Sequence, residues 1–310
     1  MTQYDIIGDI HGHAAELRQL LDRLGYKRSG YGFRHHERQV IFVGDFVDRG
    51  PSIAETIEIA RAMVEDGHGH AVMGNHEFNA IAFHTRRPDG TGFFRSRNDR
   101  NQHQHQATLN QLSSLEMREA INWFKTLPVA IEFEEFRVVH ASWQPDDIRT
   151  IDSAFEQHGQ FTTDFLTVAC ESGTPLFQAI ENILKGPEIK LPDGINFFDK
   201  DGQERSRTRV RWYADPTAMT LQHYSIGAGD GLPEQPVPLE TRRGIKAYSE
   251  ARRSVFFGHY WLQGDPAPLA PNVACVDYSV AKQGKLCAYQ WHTGDTSIKR
   301  DQYVWVDSRN

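Results

Sequence analysis

The sequence predicts an α/β fold in which strands and helices alternate and two sheets pack together in one domain. Three observations carry this expectation. Short apolar runs at residues 4–8, 40–43 and 71–73 alternate with helical patterns, which implies βαβ units and a largely parallel sheet. Strand-like runs return at 131–133 and 137–140. A third set of runs closes the chain, so a second sheet is expected beside the first.

The elements follow in order. Residues 4–8 read YDIIG, an apolar strand. Leu17, Leu20, Leu21 and Leu24 recur on one helical face, and Gly25 is the expected stop. Residues 40–43 (VIFV) have the pattern of a strand buried on both faces. Ser52-Ile-Ala-Glu55 fits a capping box, and Ile53, Ile57, Ala60 and Val64 form a stripe ending at Gly67. Residues 71–73 give a third strand, with a helix starting near Glu77. Residues 84–106 set Arg86, Arg87, Arg95, Arg97 and Arg100 against Asp89 and Asp99, and read as an inserted polar loop. A helix at 176–184 stops at Gly186-Pro187, residues 227–238 read as loop, and strands are expected at 255–258, 273–278, 285–291 and 303–306. The expectation is a single domain over 1–310, with insertions at 84–118 and roughly 144–250.

Composition excludes several classes. The chain has 310 residues, enough to bury a sizeable core. Lys and Arg number 34 against 41 Asp and Glu, a net charge of −7, so no duplex nucleic-acid partner is expected. A hydrophobic fraction of 39% excludes a disordered chain. Mean hydropathy is −0.56 and no apolar run is long enough to span a bilayer, so no membrane partner is expected. MTQYDIIGDIHG lacks the pattern of a signal peptide. Cys170, Cys275 and Cys287 form no CxxC pair and read as free thiols in a reducing compartment. The expected location is cytoplasmic.

The chemistry lies where the strands end. Gly8-Asp9-Ile10-His11-Gly12, Gly44-Asp45-Phe46-Val47-Asp48-Arg49-Gly50 and Gly74-Asn75-His76-Glu77 each follow an apolar run. Two more runs end in histidine, at His140 and His259. Carboxyl ends of neighbouring strands converge in open α/β sheets, and ligands bind there. Asp9, His11, Asp45, Asn75, His140 and His259 together supply two carboxylates, an amide oxygen and three imidazoles. This oxygen and nitrogen set, without thiolate, suits Mn, Fe or Zn. One carboxylate bridging two ions would hold them roughly 3.5–4 Å apart, the spacing at which one ion supplies hydroxide and both clamp a phosphoryl group. A lone Asp or His at a strand end is usually a turn or surface residue. The motif GDxHG alone should arise by chance in about one such chain in five hundred, and three such motifs in order leave no room for coincidence.

The set GDIHG, GDFVDRG, GNHE, VVH and FGH resembles the phosphoprotein-phosphatase branch of the calcineurin-like metallophosphoesterases. A tail at Cys275-Val-Asp277-Tyr and Gly284-Lys285-Leu286 is similar to the nucleosyl-tetraphosphatase-like members. The resemblance implies an αββα sandwich of two mixed sheets. It implies that Asp9, His11 and Asp45 hold one metal, and that Asp45, Asn75, His140 and His259 hold another, with Asp45 bridging. Manganese is the first expectation, with iron, zinc or nickel as alternatives. Arg49 would bind the phosphoryl group, and His76 would protonate the leaving oxygen with Asp48 orienting it.

Three departures stand out. His140 is followed by Ala141-Ser142-Trp143 where the family has glycines; Trp143 either narrows the site or packs at the strand end. A second phosphate-binding arginine falls on Arg209 or Arg211. The arginine-rich segment after His76 either meets an extended anionic substrate or is a solvated loop. Asp199-Lys-Asp201-Gly202 and Gly227-Ala-Gly229 are set aside as turns. The implied function is hydrolysis of phosphomonoesters, on phosphoproteins or small phosphates, by direct attack of a metal-bound hydroxide. A bis(5′-nucleosyl)-tetraphosphatase-like hydrolase of nucleoside polyphosphates is the alternative, and a catalytically silent binding protein on the same fold is a further one.

Overall fold

The computed structural model describes residues 3–198, 202–227, 231–244 and 247–308. Asp199 and Asp201 of one set-aside motif, and Ala228 and Gly229 of the other, lie outside them.

Two mixed sheets form the centre. The six-stranded sheet runs Asp277–Tyr278, Lys285–Trp291, Gln3–Ile7, Arg38–Phe42, Gly69–Ala71, with Tyr303–Asp307 also paired to Lys285–Trp291. Gln3–Ile7, Arg38–Phe42 and Gly69–Ala71 are mutually parallel. Lys285–Trp291 pairs antiparallel to Gln3–Ile7, in register Ile6 to Tyr289, so the sheet is mixed and not largely parallel. The second sheet runs Val273–Cys275, Ser254–Phe257, Phe136–Val139, Ala130–Glu132, parallel except for the last pair.

Strand alternation builds the layers. Ile6, Ile41, Phe136, Val138, Phe256, Tyr289 and Trp291 face between the sheets and form one core. Their neighbours Ile7, Val40, Phe42, Val139, Val255 and Phe257 face outward into a helix-covered core with Leu17, Leu20, Ile57, Ile180 and Ile183. This is an αββα sandwich. A third cluster, Ile189, Leu191, Val210, Leu221 and Tyr224 among its members, gives part of residues 144–250 its own small core.

Several local expectations shift. The helix expected near Glu77 starts two residues earlier, at Asn75–His84. The run at 273–278 divides between the two sheets, with Val276 N–H bonded to Phe257 O at 2.8 Å between the two strands. The capping box at Ser52 does not form: its N–H bonds to Gly12 O, and Glu55 pairs with Arg18 instead. The polar stretch read as a loop folds as the helix Asp99–Gln111 from its second half onward, with Asn98 as its cap.

On the two central strands of the first sheet, Arg38 makes a bidentate pair with the buried Asp5, at 2.8 and 3.0 Å, and Tyr26 donates to the same carboxylate at 2.8 Å. Arg38→Met would leave the Asp5 charge buried and unpaired, at a cost of about 3–5 kcal/mol. Denaturant titration should show a matching drop in midpoint; a loss under about 1 kcal/mol would contradict it.

Candidate metal centre and active site

Asp9, Asp45, Asn75, His140 and His259 all sit within three residues of a parallel strand's carboxyl end or, for Asn75, at the helix that follows one. The loops meet because glycine lets them. A Cβ on Gly74 would lie 2.2 Å from Asp45 Oδ1, and one on Gly258 would lie 1.9 Å from Asp9 Oδ1. Backbone strain collects here as well. His11, Asp45, Asp48, Arg49, His259 and Trp261 all have positive φ, a conformation that persists only where its surroundings enforce it.

All six expected ligands are buried. His140 Nδ1 donates to Val43 O at 2.7 Å and His11 Nδ1 donates to Val47 O at 2.9 Å. Each neutral imidazole therefore turns an Nε2 lone pair inward, the arrangement typical of metal-binding histidine. His140 Nε2 faces Asn75 Oδ1 at 3.0 Å and Asp45 Oδ1 at 3.5 Å. His11 Nε2 lies 3.5 Å from Asp45 Oδ2 and has no hydrogen-bond partner. Asn75 Oδ1 also lies 2.8 Å from His259 Nδ1. With His11 and His140 neutral, their Nε2 lone pairs confront the Asp45 and Asn75 oxygens, and a cation between them removes the conflict. Asp45 presents one oxygen to each side, as a bridging carboxylate does. Asp9 joins by accepting the His259 N–H at 3.0 Å. Burial, with the charges of Asp277 and Asp45, holds its carboxyl well above the usual range, and positive ions would relieve this. The residues present fit a dinuclear metal centre.

Next to the ligands, His76 Nδ1 lies 2.5 Å from Asp48 Oδ2. Burial opposes charge on His76, but Asp45 and Asp48 outweigh it, and the net shift is upward, toward the acid form. Burial alone would raise Asp48; hydrogen bonds from His105 and His76 overcome it and hold the carboxyl well below its usual range. The Arg49 guanidinium is solvent-exposed and lies 4.4 Å from the Trp261 ring centroid, and Lys282 Nζ is 4.9 Å from the same ring.

Of the two candidate arginines, Arg209 is the one whose charge acts on His259 and Tyr260. Arg211 leans on the Tyr213 hydroxyl at 3.4 Å. Both Nε groups are buried without a hydrogen-bond partner. Trp143 is buried among the outer helices with Arg137 5.0 Å from its ring, so it packs at the strand end.

The sequence reading passed over several residues. Glu77 accepts the N–H groups of Gly74, Asp45 and Phe46, at 3.1, 2.8 and 2.8 Å, and so ties two metal loops together. Asp277 accepts from Trp261 N at 2.6 Å and Ser279 N at 2.9 Å, which fixes the loop carrying Trp261. His105 and Thr108 bond Asp48 from the inserted helix. Glu77 lay inside a quoted motif; His105 had no local signal.

One pH effect follows from a histidine away from the metals. Burial, with the nearby His105 and Arg97 charges, pushes His84 down to about 4, from 6.5. The unfolded chain therefore binds the extra proton first, so the His84 contribution is intact above about pH 6.5 and lost as pH falls toward 4. Thermal unfolding between those limits should show a steeper acid loss in wild type than in His84→Gln; equal slopes would contradict it.

Known proteins similar to this chain identify its family. A bis(5′-nucleosyl)-tetraphosphatase PrpE [asymmetrical] from Halalkalibacterium halodurans is 35% identical over 156 residues, 47% of this chain and 59% of that protein. The relative of the same description from Oceanobacillus iheyensis is 41% identical over 73 residues, 23% of this chain and 29% of that one. The chain thus matches less than two thirds of the length of these relatives. A protein serine/threonine phosphatase from Saccharomyces cerevisiae superposes over 100% of this chain and 80% of its own, with TM-score 0.52 and 13% identity, a likeness of fold. Residues 3–260 match the family described as calcineurin-like phosphoesterase, and the chain belongs to that family.

Proposed function

We propose that the protein is a metal-dependent phosphoesterase that hydrolyses phosphate esters by direct attack of hydroxide on phosphorus, without a phosphoenzyme. The observation that carries it is the set of acceptors around Asp45, with His11 on one side and His140 and Asn75 on the other. Two divalent ions there would generate hydroxide near neutral pH and offset phosphoryl charge.

The chain's own residues supply the rest. Asp9, His11 and Asp45 would hold one ion, and Asp45, Asn75, His140 and His259 the other. Arg49, free at the rim, presents a planar fork to two phosphoryl oxygens. Arg209 adds a second cation from the His259 side. His76, charged and oriented by Asp48, gives its proton to the leaving oxygen. Local positive charge makes an anionic substrate compatible with a net charge of −7. An intact acid, its carboxylate partner and the arginine clamp have no use in a silent binding protein.

Nothing in this set requires more than a phosphomonoester. A nucleoside polyphosphate is the second reading. The rim favours it, since Arg49 and Lys282 both lie near the Trp261 ring and supply extra cations for further phosphates. The bacterial relatives, described as bis(5′-nucleosyl)-tetraphosphatases, support it too. Turnover of 4-nitrophenyl phosphate, phosphopeptides and dinucleoside tetraphosphates with added Mn tests both. Metal-dependent release from any of them supports the proposal, and the highest kcat/KM names the class. Turnover that survives chelation would contradict it. No helix among the described residues is long and apolar enough to cross a membrane.

A further inference from the structure

The helix Asp99–Gln111 is attached to the protein in an unusual way. Its buried side chains are polar, His105 and Thr108, and Gln111 follows on the same face. All three reach the loop after Arg38–Phe42, which carries Asp45, Asp48 and Arg49. The Thr108 hydroxyl accepts Asp48 N–H at 2.9 Å and donates to Asp48 Oδ1 at 2.6 Å. His105 Nδ1 donates to Asp48 Oδ1 at 2.7 Å. Gln111 Nε2 donates to Gly50 O at 2.8 Å, and its Oε1 accepts Ile53 N–H at 2.8 Å. The segment between these contacts needs such support, because Asp48 and Arg49 have φ of 68° and 71° in succession.

The contacts close a circuit. His84, the last residue of the helix Asn75–His84, places its Nε2 3.1 Å from His105 Nε2, so that one ring donates and the other accepts. His76, at the other end of that helix, places Nδ1 on Asp48 Oδ2. One helix is therefore joined at both ends to the helix Asp99–Gln111, directly through His84 and His105 and, at the other end, through the Asp48 carboxylate. The rotation of a carboxylate about its last bond is soft. Donors on Oδ1 are what keep Oδ2 aimed at His76.

We infer that His105 and Thr108 are positioning residues for proton donation by His76: they lock the Asp48 carboxylate, while His84 ties the circuit shut. The inference rests on the phosphoesterase reading. His105 touches neither substrate nor metal, and no bond is made or broken on it. Loss of the His105 bond leaves the Thr108 and Gln111 contacts that hold the Asp48–Arg49 backbone, so phosphate capture stays while the proton donor is misaligned, and the defect should scale with the leaving group's need for a proton.

The test uses the full chain loaded with Mn, and two substrates. Phenyl phosphate has a poor leaving group; 4-nitrophenyl phosphate has a good one. For His105→Ala and Thr108→Val, kcat on phenyl phosphate should fall ten- to a hundredfold, roughly what poor placement of a general acid costs. For His105→Ala, KM should stay within about threefold, and kcat on 4-nitrophenyl phosphate should fall by less than about threefold, because that leaving group needs little protonation. His105→Asn, whose amide N–H lies near the Nδ1 position, should restore most of the loss, and His105→Gln should not. His103→Ala, on the exposed face of the same helix, should change nothing. If His105→Ala does not fold, the Asn and Gln variants carry the comparison. Equal losses on both substrates, no loss, or rescue by Gln instead of Asn overturns the inference alone. A wild type inactive on both substrates overturns the phosphoesterase reading, and the inference with it.

Discussion

Asp45→Asn is expected to lower Mn-dependent turnover by at least ~10³-fold while the fold is retained, because metal stabilisation of a phosphoryl transition state is worth several kcal/mol. Asp45 is the one side chain with an oxygen on each side of the centre, 3.5 Å from His11 Nε2 and 3.5 Å from His140 Nε2. An amide keeps the shape but loses the charge, and it turns one of the two acceptors into a donor. That donor satisfies one imidazole lone pair and thereby evicts the ion that would sit there. Steady-state kinetics and metal content measured together check this. A variant that keeps two tightly bound ions and wild-type kcat would contradict the bridging role.

The second large effect concerns the proton. His76→Ala is expected to reduce kcat by roughly 10²–10⁴-fold on substrates with poor leaving groups, the range for a positioned general acid. KM should change little, because Arg49 and the metals bind the phosphoryl group. The backbone contribution survives the substitution, since it is His76 N–H that donates to Asp45 Oδ1 at 3.0 Å. A loss equal on phenyl and 4-nitrophenyl phosphate would assign His76 to the structure of the site and not to proton transfer.

Much of this was readable in advance, and the boundary has a physical origin. Strand ends and the polar residues beside them are local: an apolar run, a glycine and a polar residue sit together in sequence, so Asp9, Asp45, Asn75, His140 and His259 are named as candidate ligands from the sequence, and the fold brings them together. The unbroken apolar run at 40–43 marks a strand buried on both faces for the same reason, with Val40 and Phe42 toward the helices and Ile41 and Val43 toward the other sheet. Contacts made across sequence were invisible. His105 and Asp48 are 57 residues apart, and a histidine in a polar run looks like any solvated residue. The same blindness affected Ser52, where the capping box was locally correct but Gly12 O took its N–H. Arg209 and Arg211 are not separated by the sequence either; in the fold it is the Arg209 charge that reaches His259, with Glu188 4.0 Å from its Nε.

The central claim is a pair of ions bridged by Asp45. The most direct measurement is an anomalous-scattering map of crystals grown with Mn and soaked in inorganic phosphate. The account predicts two peaks roughly 3.5–4 Å apart, one on the His11 side of Asp45 and one on the His140, Asn75 and His259 side, with phosphate held between them and Arg49. A single peak, or peaks remote from Asp45, would contradict it.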